Sequence, residues 1–155
     1  MRYPREECAC FTGHRIVKND FNPREVERAV EELLGRGIHV FLNGMALGFD
    51  TLCFNVLLDM KNRYPEIKIV SCVPCPDQSK KFPFKSKREY LRLLKKADEV
   101  ILVCPEYTDE CMKERDRFMV DNSSVCISYL YKSTGGAYYT TKYAVEKEIE
   151  IIYVK

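Results

Sequence analysis

The sequence holds no Walker-type Gly-Lys-Ser/Thr loop and no Gly-x-Gly-x-x-Gly run. The two commonest glycine-rich phosphate and dinucleotide cradles are therefore excluded. Histidine is scarce: His14 and His39 are the only two, and His39 opens an apolar, strand-like run, which argues against a histidine-rich metal centre. No serine stands in a nucleophile elbow. No apolar run approaches the length of a membrane span, and Met1 to Glu7 lacks the apolar core of a secretory signal, so a cytoplasmic protein is expected, with no membrane partner. Charge of one sign is missing too. The formal net charge is +2 over 155 residues, and no global field demands a nucleic-acid partner. There is no linker, repeat or low-complexity segment, so residues 1–155 are expected to form one domain with a core of its own.

Cysteine, by contrast, is plentiful. Of the eight, Cys8, Cys10, Cys72, Cys104 and Cys126 lie in apolar, strand-like runs, where the side chain acts as a small hydrophobe. Cys72-Val73-Pro74-Cys75 has the spacing of a redox or metal pair. It has no second pair at matching spacing, and it leaves a strand rather than opening a helix. Structural thiols are the expectation, with no metal, no cofactor and no disulfides in a reducing compartment.

Strand-like and helix-like segments alternate along the whole chain. Apolar strands are read at Cys8–Phe11, His39–Leu42, Ile67–Val73, Glu99–Cys104, Ser124–Leu130 and Ile149–Val154. Between the first two, Asn22 is placed as a helix cap with Pro23 at the first position. Val26, Ala29, Val30, Leu33 and Leu34 then recur at helical spacing. Further helices are expected from Asp50, through Tyr90 to Ala97, over Cys111–Val120, and from Ala137 to Lys147. Continuous apolar strands separated by helices predict an α/β fold with a mostly parallel sheet covered on both faces.

Three glycine turns mark strand-to-helix handovers: Thr12-Gly13-His14-Arg15, Gly44-Met45-Ala46-Leu47-Gly48-Phe49-Asp50, and Thr134-Gly135-Gly136-Ala137. A helix starting after such a turn presents unpaired N–H groups and the positive end of its dipole, which suits phosphate or carboxylate. In a parallel sheet such turns converge at the carboxyl ends of the strands, where open α/β folds bind ligands. Arg15 offers a forked cation and His14 a group that titrates near neutrality. Asp50 reads either as a helix cap or as an acceptor for ribose hydroxyls. Between Tyr107 and Asp121, spacing alone does not choose between Arg115 and Arg117. The stretch Lys80–Lys96 is strongly basic, with Phe82, Phe84 and Tyr90 interleaved. It reads as the wet face of one helix with its aromatics in the core, or as a nucleic-acid track.

Phe11-Thr12-Gly13-His14-Arg15, the second glycine turn, Arg115-Asp116-Arg117-Phe118-Met119-Val120-Asp121, and Tyr131–Ala144 together resemble the YpsA/YoqJ family of bacteria and their phages. That family is part of the SLOG superfamily, which also holds the LOG phosphoribohydrolases and the DprA DNA-processing proteins. The resemblance implies a Rossmann-like three-layer domain with a nucleotide-type ligand at the strand ends. The ligand would lie among Thr12, Gly13, His14, Arg15, Gly44, Met45, Ala46, Gly48, Asp50, Arg115, Asp121, Gly135 and Gly136. It favours Arg115 over Arg117 as the ligand-facing arginine. Asp116 replaces the family's more usual asparagine, and Ala137 a frequent threonine. Laid on the LOG motif Pro-Gly-Gly-x-Gly-Thr-x-x-Glu, the chain has Tyr138 at the third glycine and Lys142 at the catalytic glutamate. Asp50, Asp121 or Glu146 would have to supply an acid instead. The favoured expectation is binding, by sensing or sequestering, of a nucleotide or nucleotide-derived molecule. The alternatives are an N-glycosidic hydrolase or transferase with Asp50 or Asp121 as its carboxylate, and a nucleic-acid binder. The oligomeric state stays open between monomer and homo-oligomer.

Overall fold

The structure is a computed structural model that describes residues 1–155. After a short 3-10 turn at Arg5–Glu7, the elements alternate along the chain as β1 (Cys8–Gly13), α1 (Arg24–Gly35), β2 (Val40–Asn43), α2 (Phe49–Met60), β3 (Lys68–Val73), α3 (Phe84–Lys96), β4 (Glu99–Leu102), α4 (Cys111–Asp121), β5 (Val125–Tyr129), α5 (Gly136–Glu146) and β6 (Glu150–Tyr153). The six strands form one sheet in the order β4-β3-β2-β1-β5-β6, and every pairing is parallel. This is the expected α/β architecture, with strand ends displaced by one or two residues from the sequence reading.

The sheet's two faces differ in side-chain size, and alternation along each strand is the reason. Phe11, Phe41, Ile69, Ile127 and Tyr129 point into the layer formed with α1, α2 and α3. Cys8, Cys10, Leu42, Cys72 and Cys126 point to the other side, toward Met119 and Val120 of α4 and Ala144 of α5. Four of the eight thiols thus act as small apolar spacers beneath α4 and α5. Burial pushes the Cys8 thiol up to about 12 and Cys72 higher still, so neither supplies a thiolate. Cys72 lies in the sheet, while Cys75 packs with Cys104 and Cys111 beyond its edge. The two cysteines of the Cys-x-x-Cys run therefore belong to different clusters, and all eight are free and buried.

One local expectation holds and two need adjusting. The Asn22 side chain does accept from the Arg24 N–H at 3.0 Å, and the Asn22 carbonyl accepts from Glu25 at 2.9 Å, so Asn22 holds the start of α1 as expected. Asp50 does not cap α2. Gly48 occupies the cap position with φ +82°, and the Asp50 carboxylate turns back to accept the Ala46 N–H at 3.1 Å. Among the aromatics of the basic stretch, Tyr90 is buried and Phe82 packs on the core. Phe84 is 75% exposed, so the expectation that these aromatics are all core residues fails there. It stands in the first turn of α3, and Arg88 one turn on lies over its ring.

Candidate ligand cleft at the strand switch

Strands β1 to β4 run out in one direction from the middle of the sheet, and β5 and β6 lie on the other side. The order reverses between β1 and β5, and the loops leaving their carboxyl ends part to leave a crevice. A cleft of about 440 Å³ opens there, lined by the β1 turn, the start of α2, one side of α4 and the start of α5.

Each turn glycine has a separate reason to lack a side chain. A β-carbon on Gly13 would fall on the Phe49 ring, and one on Gly48 would fall on the Arg15 backbone. These two glycines let the first and second turns close on each other, tied by the Phe49 N–H donating to the His14 carbonyl at 3.2 Å. A β-carbon on Gly44 would sit 2.9 Å from Arg115 Nη1 and 3.1 Å from Asp50 Oδ2. Gly44 therefore makes room for two charged side chains. At Gly135 and Gly136 nothing lies within 4 Å of such a carbon. Packing does not demand glycine at those two positions. Gly135 needs it for its φ of +92°, and Gly136 faces open space in the cleft at the first turn of α5.

Arg115 and Asp50 form the floor. Arg115 is 5% exposed. It donates to the Gly44 carbonyl and, at 3.4 Å, to the Cys72 carbonyl, while its Nε donates to Asp116 at 2.8 Å. Asp50 is 6% exposed, and its Oδ1 has no hydrogen-bond partner. Burial pushes the Asp50 carboxyl up to about 6, against the opposing pull of the Arg115 guanidinium and the Ala46 N–H. His14 lines the cleft with Nε2 likewise buried and unpartnered. Its ring packs edge-on against Tyr131 at 4.4 Å. Burial, then the nearby Lys132 charge, lowers its pKa, so at pH 7 it is the neutral imidazole.

Of the residues singled out in the sequence, Thr12, Gly13, His14, Arg15, Ala46, Asp50, Arg115, Gly135 and Gly136 line this cleft. Gly44 lies beneath Arg115, and Met45 is a core residue that accepts from the Ser71 hydroxyl. Gly48 serves the contact between turns. Asp121 is not brought in: it is exposed at the far end of α4 and accepts from the Tyr143 hydroxyl at 2.8 Å. Arg117 points to α5 and donates to the Tyr139 hydroxyl at 2.7 Å. Thr140 lines the cleft, but its hydroxyl donates back to the Gly136 carbonyl at 2.9 Å. Glu146 ends α5, at the opposite end from the cleft. The sequence reading missed Lys132, Met112 and Ile16, all on the cleft wall. Lys132 could have been found: it is a cation three residues before the Gly-Gly pair, in the same loop.

A parallel sheet with a ligand-sized cleft at its switch point, walled by glycine turns, defines a Rossmann-like α/β fold. The model of the YspA SLOG family, YpsA, matches residues 17–154, and the chain belongs to that family. The match begins just after the first glycine turn. Among individual relatives, the SPbeta prophage-derived protein YoqJ of Bacillus subtilis is 27% identical over 128 residues, covering 74% of this chain and 75% of YoqJ. A UPF0398 protein of Brevibacillus brevis is 25% identical over 138 residues, covering 87% of this chain and 71% of its own. Among solved structures, the DNA processing protein A (DprA) of Streptococcus pneumoniae superposes with a TM-score of 0.68 at 18% identity, over 96% of this chain and 50% of that one. The Helicobacter pylori DprA, described for its single-stranded DNA binding, gives 0.65 at 15% identity, over 94% and 64%. These two show the shared fold, and the chain spans half of the first and under two thirds of the second. No helix is long and apolar enough to cross a membrane.

Proposed function

We propose that the protein binds a nucleotide or nucleotide-derived molecule in the cleft at the β1/β5 switch. One observation carries this reading. Arg15, Lys132 and the open amino end of α5 at Gly135–Gly136 stand round the mouth of a cleft of about 440 Å³, while its floor holds a buried arginine and a carboxylate oxygen without a partner. Cations and free N–H groups at a helix start suit a phosphate. The glycine at 136, which the packing does not require, leaves room for the ligand to approach the backbone. Family membership and the DprA-like fold support a ligand of this class. Calorimetry against ribonucleotides, ADP-ribose and nicotinamide dinucleotides tests it. Micromolar binding that weakens in Lys132→Ala and Gly136→Ala is expected, and a folded protein that takes none of them refutes it.

A second reading has its own observation. Lys85, Arg88, Arg92, Lys95 and Lys96 lie exposed along α3 beside the exposed Phe84 and Leu91. Such a surface fits the backbone and bases of a single-stranded nucleic acid, the ligand class of the Helicobacter pylori relative. Binding of an oligonucleotide that falls steeply with salt and is lost in Arg88→Glu/Arg92→Glu, but not in Lys132→Ala, would establish it.

A further inference from the structure

We infer that the cleft reads the ribose of its ligand through Asp50, and so takes ribonucleotides in preference to deoxyribonucleotides. This inference rests on the nucleotide reading above and adds the sugar to it. Asp50 lines the cleft, and its Oδ1 is buried without a hydrogen-bond partner, while Oδ2 is taken by the Ala46 N–H at 3.1 Å. A buried acceptor left without a donor costs free energy that a ligand donor restores. The other charged groups on the cleft wall are the cations Arg15, Arg115 and Lys132, and Asp116, whose carboxylate already accepts from Arg115 at 2.8 Å. The cleft therefore asks for an anion at its cationic rim and for a hydrogen-bond donor at Asp50. An ionised carboxylate accepts only. With its carboxyl at about 6, Asp50 is mostly ionised at pH 7.

Two features make that donor a hydroxyl of the sugar. A cationic amine would have to lie against the buried Arg115 guanidinium, which is close enough to Asp50 for one β-carbon on Gly44 to touch both. The sugar is also the part of a nucleotide joined directly to its phosphate, so with the phosphate at the cationic rim the ribose hydroxyls are the neutral donors that every ribonucleotide brings to the cleft.

The test is calorimetry at pH 7.5 on the full chain with matched pairs. These are AMP, GMP, CMP and UMP against their 2′-deoxy and 3′-deoxy counterparts, and ribose 5-phosphate against 2-deoxyribose 5-phosphate. A hydrogen bond to a charged group sets the expected ratio at about ten- to a hundredfold in favour of the ribo form. Asp50→Asn and Asp50→Ala, each verified as folded by circular dichroism, should bring that ratio to near one. Equal affinity for both sugars, or a ratio that survives in both variants, overturns the ribose inference and leaves the nucleotide reading standing. Failure of every compound to bind the folded wild type removes both.

Discussion

Replacing Asp50 by asparagine should stabilise the unliganded protein at neutral pH, and the gain should disappear on acidification. Burial lifts the carboxyl from its ordinary 3.8 to about 6, although Arg115, the Ala46 N–H and Arg15 all pull the other way and only Asp116 adds to it. The unfolded chain gives up this proton near pH 4, the folded protein only near pH 6. Below pH 4 both states hold it, and Asp50 costs nothing. As the pH rises from 4 to 6 the unfolded state is favoured progressively, and above 6 the loss is complete. A shift of about two units at about 1.4 kcal/mol each gives about 3 kcal/mol. Asparagine keeps an acceptor for the Ala46 N–H and cannot ionise. Arg115 keeps Asp116 as its counter-charge at 2.8 Å. In a chain of this size the gain corresponds to roughly 6–12 °C in Tm. The assay is thermal and urea unfolding of both proteins without ligand from pH 4 to 8, with the difference plotted against pH. A difference that is flat with pH, or an asparagine variant less stable than wild type at pH 7, refutes the burial argument.

Further outcomes follow from the same geometry. Gly48→Ala forces a β-carbon onto the Arg15 backbone at φ +82° and should cost about 3 kcal/mol or more. Gly136→Ala meets nothing and should shift stability by less than about 1 kcal/mol while weakening ligand binding; chemical denaturation of both separates the two. Arg115→Ala strips the buried Asp50 and the half-buried Asp116 of their cation and should destabilise by about 3–5 kcal/mol. Arg15→Ala, at an exposed position, should leave unfolding within about 0.5 kcal/mol and lower affinity about ten- to a hundredfold. Finally, long incubation with nucleoside monophosphates should release no free base above a protein-free control. Lys142 is exposed on α5 and carries the wrong charge to stabilise an oxocarbenium ion. Chromatographic release of base that Asp50→Asn abolishes would make the protein a hydrolase.

Periodicity and turn chemistry alone determined the alternation of strands and helices and the parallel sheet. They also marked the glycine turns that wall the cleft. Apolar runs, Asn22 before Pro23 and the glycine turns are local signals, and local signals survive without coordinates. The order β4-β3-β2-β1-β5-β6 is not local. Only that order places the β1 and β5 loops on either side of one crevice, joining residues as distant in the chain as Arg15 and Gly136. Spacing left Arg115 and Arg117 equivalent, because adjacent faces of one helix look alike until the sheet beneath covers one of them. Asp121 looked as good a carboxylate as Asp50 for the same reason. Helix α4 runs about 1.5 Å per residue, which carries Asp121 about 9 Å beyond Arg115 and out of the cleft. The glycines show the division most plainly. Their presence was legible in the sequence. Their reasons were tertiary: a phenylalanine ring at Gly13, a backbone at Gly48, two charged side chains at Gly44, and open space at Gly136.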